Sequence, residues 1–101
     1  MDKFGLNSAQ LEILQNIFKK YPNLEKVLIF GSRASDNFKP YSDIDLCLFG
    51  KIKPSDLDKI NNDIVQSNLL FYVDLVYVDD VKDQKISTNI NKYGKVLWEK
   101  A

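Results

Sequence analysis

Two aspartates stand inside a stretch that otherwise reads as a buried strand, and they limit what this chain can fold into. Asp43 and Asp45 alternate with Ile44 and Leu46 in SDIDLCLF, residues 42–49. Alternate residues of a strand share a face. Both carboxylates therefore point one way, while Ile44, Leu46 and Leu48 point the other, into a core. Two carboxylates about 7 Å apart along one strand repel each other unless cations neutralise them. A divalent metal is the natural occupant of such a face.

The chemistry open to this face is narrow. None of the 101 residues is histidine, which excludes His-based acid/base catalysis, Ser-His-Asp triads and most zinc sites. Any reaction must rest on carboxylates. The 14 basic and 14 acidic residues cancel, so no overall field draws the chain to nucleic acid or an anionic membrane, and binding of that kind would have to be local. The single cysteine, Cys47, cannot form an internal disulfide, which fits a reducing compartment. It shares the face of Asp43 and Asp45, but with no histidine or nearby cationic partner it reads as a small buried apolar residue. The N-terminus lacks a basic segment followed by an apolar run, and no stretch approaches the roughly 18 apolar residues of a membrane span. A soluble, cytoplasmic protein is expected. Its length and 45% hydrophobic content suit one domain over residues 1–101 with one modest core.

Apolar positions Leu11, Leu14, Ile17 and Phe18 recur at helical spacing and predict a helix over residues 8–20. Asn7 is its N-cap, with Gln10 completing a capping box, and Pro22 ends it near Tyr21. Residues 25–30 read as a strand buried on both faces. The polar segment 31–42 follows, with a short helix expected from Ser32 to Asn37 and a break at Lys39-Pro40. After the second strand, Ser55 can cap a helix carrying Leu57, Ile60 and Ile64 that ends near Asn68. Residues 69–78, LLFYVDLVYV, are strongly strand-forming. One charge, Asp74, interrupts them on the face of Tyr72 and Val76. A third helix is expected over 83–93 with Gly94 as its C-cap, then a short closing strand at Val96-Leu97-Trp98.

Three strand-borne carboxylates are not how a core is built. If the second and third strands are neighbours in matching register, Asp74 comes beside Asp43 and Asp45, which makes a site for two metal ions. Gly31 permits close backbone approach or a positive φ, and Ser32 at a helix start offers a hydroxyl and N–H groups to an anion, phosphate being the fitting ligand. Arg33, the chain's only arginine, has a rigid fork suited to phosphate oxygens. The alternative for Arg33 is a surface ion pair with Asp36. For the aspartates the alternatives are a structural cluster or solvent-facing residues on an open sheet.

The pattern of Gly31-Ser32, ten intervening residues, then Asp43-Ile44-Asp45 resembles the DNA polymerase beta-like nucleotidyltransferase superfamily. More closely, GSRA and SDIDL in a chain of this length look like the minimal nucleotidyltransferases encoded beside HEPN-domain proteins in toxin-antitoxin pairs. Many of those read RARG where this chain has Arg33-Ala34-Ser35-Asp36. The resemblance implies a two-layer α/β fold, a mixed sheet with helices on one face and a metal-nucleotide cleft on the other. It also implies that Asp43, Asp45 and Asp74 are catalytic and hold magnesium, with Asp74 near the attacking hydroxyl. Gly31, Ser32, Arg33 and Ser42 would contact the nucleoside triphosphate. By the same resemblance the reaction is transfer of AMP from ATP to a tyrosine of a HEPN-type toxin, which the chain would neutralise as antitoxin. Two alternatives stay open: an antitoxin that masks its partner sterically, and transfer to a small molecule.

Overall fold

The computed structural model describes residues 3–35, 37–39 and 41–101. Helix α1, Ser8–Phe18, starts as its sequence dictates. Asn7 Oδ1 accepts from the Gln10 N–H at 2.8 Å, and Gln10 Oε1 accepts from the Asn7 N–H at 2.9 Å. Together these two bonds satisfy donors that a helix start leaves open. The helix stops at Phe18 with Lys19 as its cap, two residues before the expected end. Strand β1 is Leu24–Phe30, β2 is Ile44–Gly50, β3 is Val73–Tyr77 and β4 is Lys95–Glu99. Helix α2, Pro54–Val65, begins one residue before the expected cap Ser55. Pro54 tolerates the first helical position because no N–H is needed there, and Lys53 becomes the cap. Helix α3, Gln84–Tyr93, is capped by the Asp83 carboxylate, which accepts from the Lys85 N–H at 2.7 Å.

The four strands form one mixed sheet in the order β3-β2-β1-β4. β1 runs antiparallel to both β2 and β4, and β2 runs parallel to β3 through the α2 crossover. Leu14, Ile17 and Phe18 of α1 and Ile60 and Ile64 of α2 pack on one face of this sheet, against Val27, Ile29, Ile44, Leu46, Leu48 and Val73. The Tyr21 hydroxyl, just past α1, donates to Asp63 of α2, and Lys20 pairs with the same carboxylate at 3.0 Å.

The mixed-sheet α/β class is as expected, but the helices are not all on one face. α3 lies on the opposite side, where Ile86 and Ile90 cover Leu28, Phe30, Cys47, Phe49 and Val76. The reason is compositional. Away from Asp45 and Asp74 the middle of that face is apolar and needs cover from water. Cys47 is buried there, and burial pushes its thiol up to about 11, away from nucleophilic use. No helix among the described residues is long and apolar enough to cross a membrane.

Leu46, fully buried at the middle of β2, tests this arrangement. Leu46→Ala should lower unfolding free energy by about 2–5 kcal/mol in urea titration. Leu70→Ala, at a side chain 93% exposed, should stay within about 0.5 kcal/mol.

Candidate active site

The register of the parallel pair decides the geometry of the charged face. Ile44 stands opposite Val73, Asp45 opposite Asp74, and Leu46 opposite Leu75. Laterally paired residues on adjacent strands lie about 5 Å apart and point to the same face. The structure thus brings Asp74 directly beside Asp45, with Asp43 two residues before Asp45 at the mouth of β2. Asp43 and Asp74 are exposed and Asp45 is half-buried. Burial raises the Asp45 carboxyl above its ordinary value, and the charges of Asp74 and Asp43 push it further the same way.

Gly31 closes the site on the β1 side. Phe30 pairs with Asp45 across β1 and β2, so the chain leaves β1 at the level of that carboxylate. Gly31 takes φ +77°, and a Cβ there would collide with the Asp45 carboxylate oxygen. Glycine is required on both counts. Its N–H donates to Asn89 Oδ1 of α3 at 2.9 Å. Its carbonyl accepts from the Ser35 N–H at 3.2 Å. The loop that follows is one three-residue 3₁₀ turn, Gly31–Arg33, in place of the helix expected to Asn37. Ser32 is half-buried in this turn, and so short a turn provides no extended helix start for an anion. Asp36, the ion-pair partner of Arg33 in the alternative reading, and Pro40, part of the expected break, lie outside the described residues.

Arg33 does not stand open to a phosphate. It is 1% exposed. Nε and Nη2 donate to the Ser42 carbonyl at 3.1 and 2.8 Å, and Nη1 donates to the Phe4 carbonyl at 2.9 Å. The guanidinium lies against the rings of Phe71 at 4.7 Å and Phe38 at 5.2 Å. Burial lowers its pKa and the nearby Asp43 charge opposes that, but an arginine stays protonated in any protein. Arg33 therefore ties the N-terminal turn, the loop after β1 and the start of β2 to one cation. Ser42 contributes its carbonyl to Arg33, and its hydroxyl accepts from the Lys39 N–H at 2.8 Å, so both groups brace the loop.

The donor chemistry here suits a hard divalent cation: carboxylate oxygens alone, on one face of the sheet. Among the described residues, no three acidic or sulfur side chains converge on a single point as they stand. The backbone aligns Asp45 with Asp74. Sequence reasoning assigned nothing to Asn89. Its one signal is the run Ser87-Thr88-Asn89, weak helix formers in the middle of α3.

A family model described as polymerase beta nucleotidyltransferase matches residues 12–101. Among solved structures, the chain is similar to one described as a toxin-antitoxin with AMP-PNP. The identity is 23% and the TM-score 0.68, covering 94% of this chain and 75% of the other. It is similar also to a chain in a complex of tri-AMPylated Shewanella oneidensis HEPN toxin with MNT antitoxin. There the identity is 20% and the TM-score 0.68, covering 94% and 74%. A third, described as the toxin-antitoxin MntA-HepT, is 18% identical with TM-score 0.67, covering 93% and 74%. At these identities the likeness is one of fold. No match was found among curated proteins.

Because Asp45 is held half-buried against like charge, its ionised form destabilises the metal-free fold. The sign follows from the raised pKa: folding favours the protonated carboxyl, so its ionisation costs stability as pH rises past the ordinary carboxylate range. In EDTA at neutral pH, Asp45→Asn should melt at a higher temperature than the parent chain. An equal or lower melting temperature would contradict this electrostatic account.

Proposed function

This chain belongs to the polymerase beta nucleotidyltransferase family, and on that premise we propose that it transfers AMP from ATP to a tyrosine hydroxyl of a HEPN-type toxin. In this reading the chain is the antitoxin of the pair, working as a single domain over residues 1–101. The observation that carries the reading is the lateral pairing of Asp45 with Asp74 at the level where Gly31 makes its close approach to Asp45. Further support comes from the fold likeness to a chain in a complex of AMPylated HEPN toxin with MNT antitoxin.

The residues divide the work as follows. Asp43 and Asp45 hold the cation end of the donor nucleotide, and the Gly31-Ser32 turn receives its phosphates. Asp74, on the edge strand β3, faces the incoming acceptor. Bound between these carboxylates, magnesium would neutralise charge developing on the triphosphate and lower the pKa of the attacking hydroxyl. Asp74 orients that hydroxyl and accepts its proton. The tyrosine oxygen bonds to the α-phosphorus, the bond from that phosphorus to the bridging oxygen breaks, and pyrophosphate leaves. Arg33 and Ser42 act through the loop they brace. The chain contributes positioning and electrostatics, so loss of one ligating carboxylate should remove several kcal/mol of transition-state stabilisation.

The test is the intact mass of the toxin after incubation with this chain, ATP and magnesium. The expected result is a gain of one or more AMP groups on tyrosine, lost with Asp43→Asn, Asp45→Asn and Asp74→Asn. If the mass stays unchanged and Asp43→Asn still neutralises the toxin, the chain acts by steric masking and transfer is refuted.

A further inference from the structure

A nucleoside triphosphate brings further negative charge to a face that already carries three carboxylates, and the loop's own arginine is unavailable to it. Arg33 is buried and bonded to the carbonyls of Phe4 and Ser42. Beyond magnesium, any side-chain cations that hold the polyphosphate come from elsewhere on the same side of the sheet. We propose that the outward face of α3 is the polyphosphate wall of the nucleotide site, with Lys85 and Lys92 as its cations. This deepens the nucleotidyl-transfer reading and rests on it.

Three observations converge on that helix. First, α3 packs on the sheet face that carries Asp45 and Asp74, through Ile86 and Ile90. Second, Asn89 accepts from the Gly31 N–H at 2.9 Å, which fixes the middle of α3 to the loop that receives the phosphates. Third, Lys85, Thr88, Asn89, Lys92 and Tyr93 lie together on one open, nearly flat face of α3. Positions 85, 89 and 92 follow helical spacing, so both lysines flank Asn89 on one stripe. The stripe is cationic by composition: α3 contains two lysines and no acid, whereas α2 contains Asp56, Asp58 and Asp63 against Lys59 alone. Neither Lys85 nor Lys92 forms an ion pair among the described residues. Lysine suits the role, because its long flexible stem carries a point charge that can follow a polyphosphate whose position shifts during transfer.

Calorimetric titration of the full chain with magnesium ATP tests the assignment. K85E/K92E should bind about tenfold more weakly, the effect of reversing two exposed charge contacts. K85Q/K92Q should fall between it and the parent, and K59E, on α2, should bind as the parent does. Melting curves identify any variant that has lost its fold, and the neutral pair serves if the charge-reversed pair has. Undiminished affinity in folded K85E/K92E or K85Q/K92Q overturns the α3 assignment alone. A parent chain that binds no magnesium ATP overturns the assignment together with the transfer reading.

Discussion

Asp45 lies beside Asp74 across a parallel strand pair, and this unfavourable contact is the constraint that the rest of the structure serves. Two like charges at lateral spacing would force strands apart if pairing depended on that face alone. The opposite face holds them. Ile44, Leu46, Leu48 and Val73 are buried under α1 and α2, and a slip of one residue in β2 would turn Asp43 and Asp45 into that core. Core burial fixes the register, and the register fixes the carboxylates. The stability of one face supports the strain of the other, a division of labour common where function needs groups that folding alone would reject.

The loop after β1 completes the arrangement with very different means. Gly31 supplies a backbone conformation and the absence of a side chain, which lets the Asp45 carboxylate lie against the turn. Arg33 supplies a buried cation between two aromatic rings, with three donated bonds to carbonyls of segments far apart in the chain. Replacing that fork with lysine would leave carbonyls without donors, since an ammonium cannot span the same geometry. The outcome is a turn whose position is set from inside, while the charges facing solvent are carried by other elements.

Much of this was legible in the chain itself, and what was not had a physical reason. The alternation of Asp43 and Asp45 with Ile44 and Leu46 depends only on strand periodicity, and the Asn7-Gln10 cap depends only on residues three apart. Both are local and both were readable. The adjacency of Asp74 to Asp45 could be stated as a condition on strand order, because a parallel neighbour in matching register was one of few options. The position of α3 was harder to anticipate: Phe30, Cys47 and Val76 form a covered patch only once three strands are side by side. The fate of Arg33 was hidden for the same reason, since Phe4, Phe38, Ser42 and Phe71 surround it from three separate segments. An arginine after Gly-Ser reads as a phosphate ligand until those segments are folded round it.

The central claim is that the charged face gathers a divalent cation through Asp74 as well as through Asp43 and Asp45. Electron paramagnetic resonance of manganese added to the chain with a non-hydrolysable ATP analogue tests it most directly. The account predicts manganese bound by the parent chain and a clear loss of bound metal in Asp74→Asn that retains the parent's fold. Equal manganese binding by Asp74→Asn would contradict it, and would reduce the Asp45–Asp74 pairing to an accident of register.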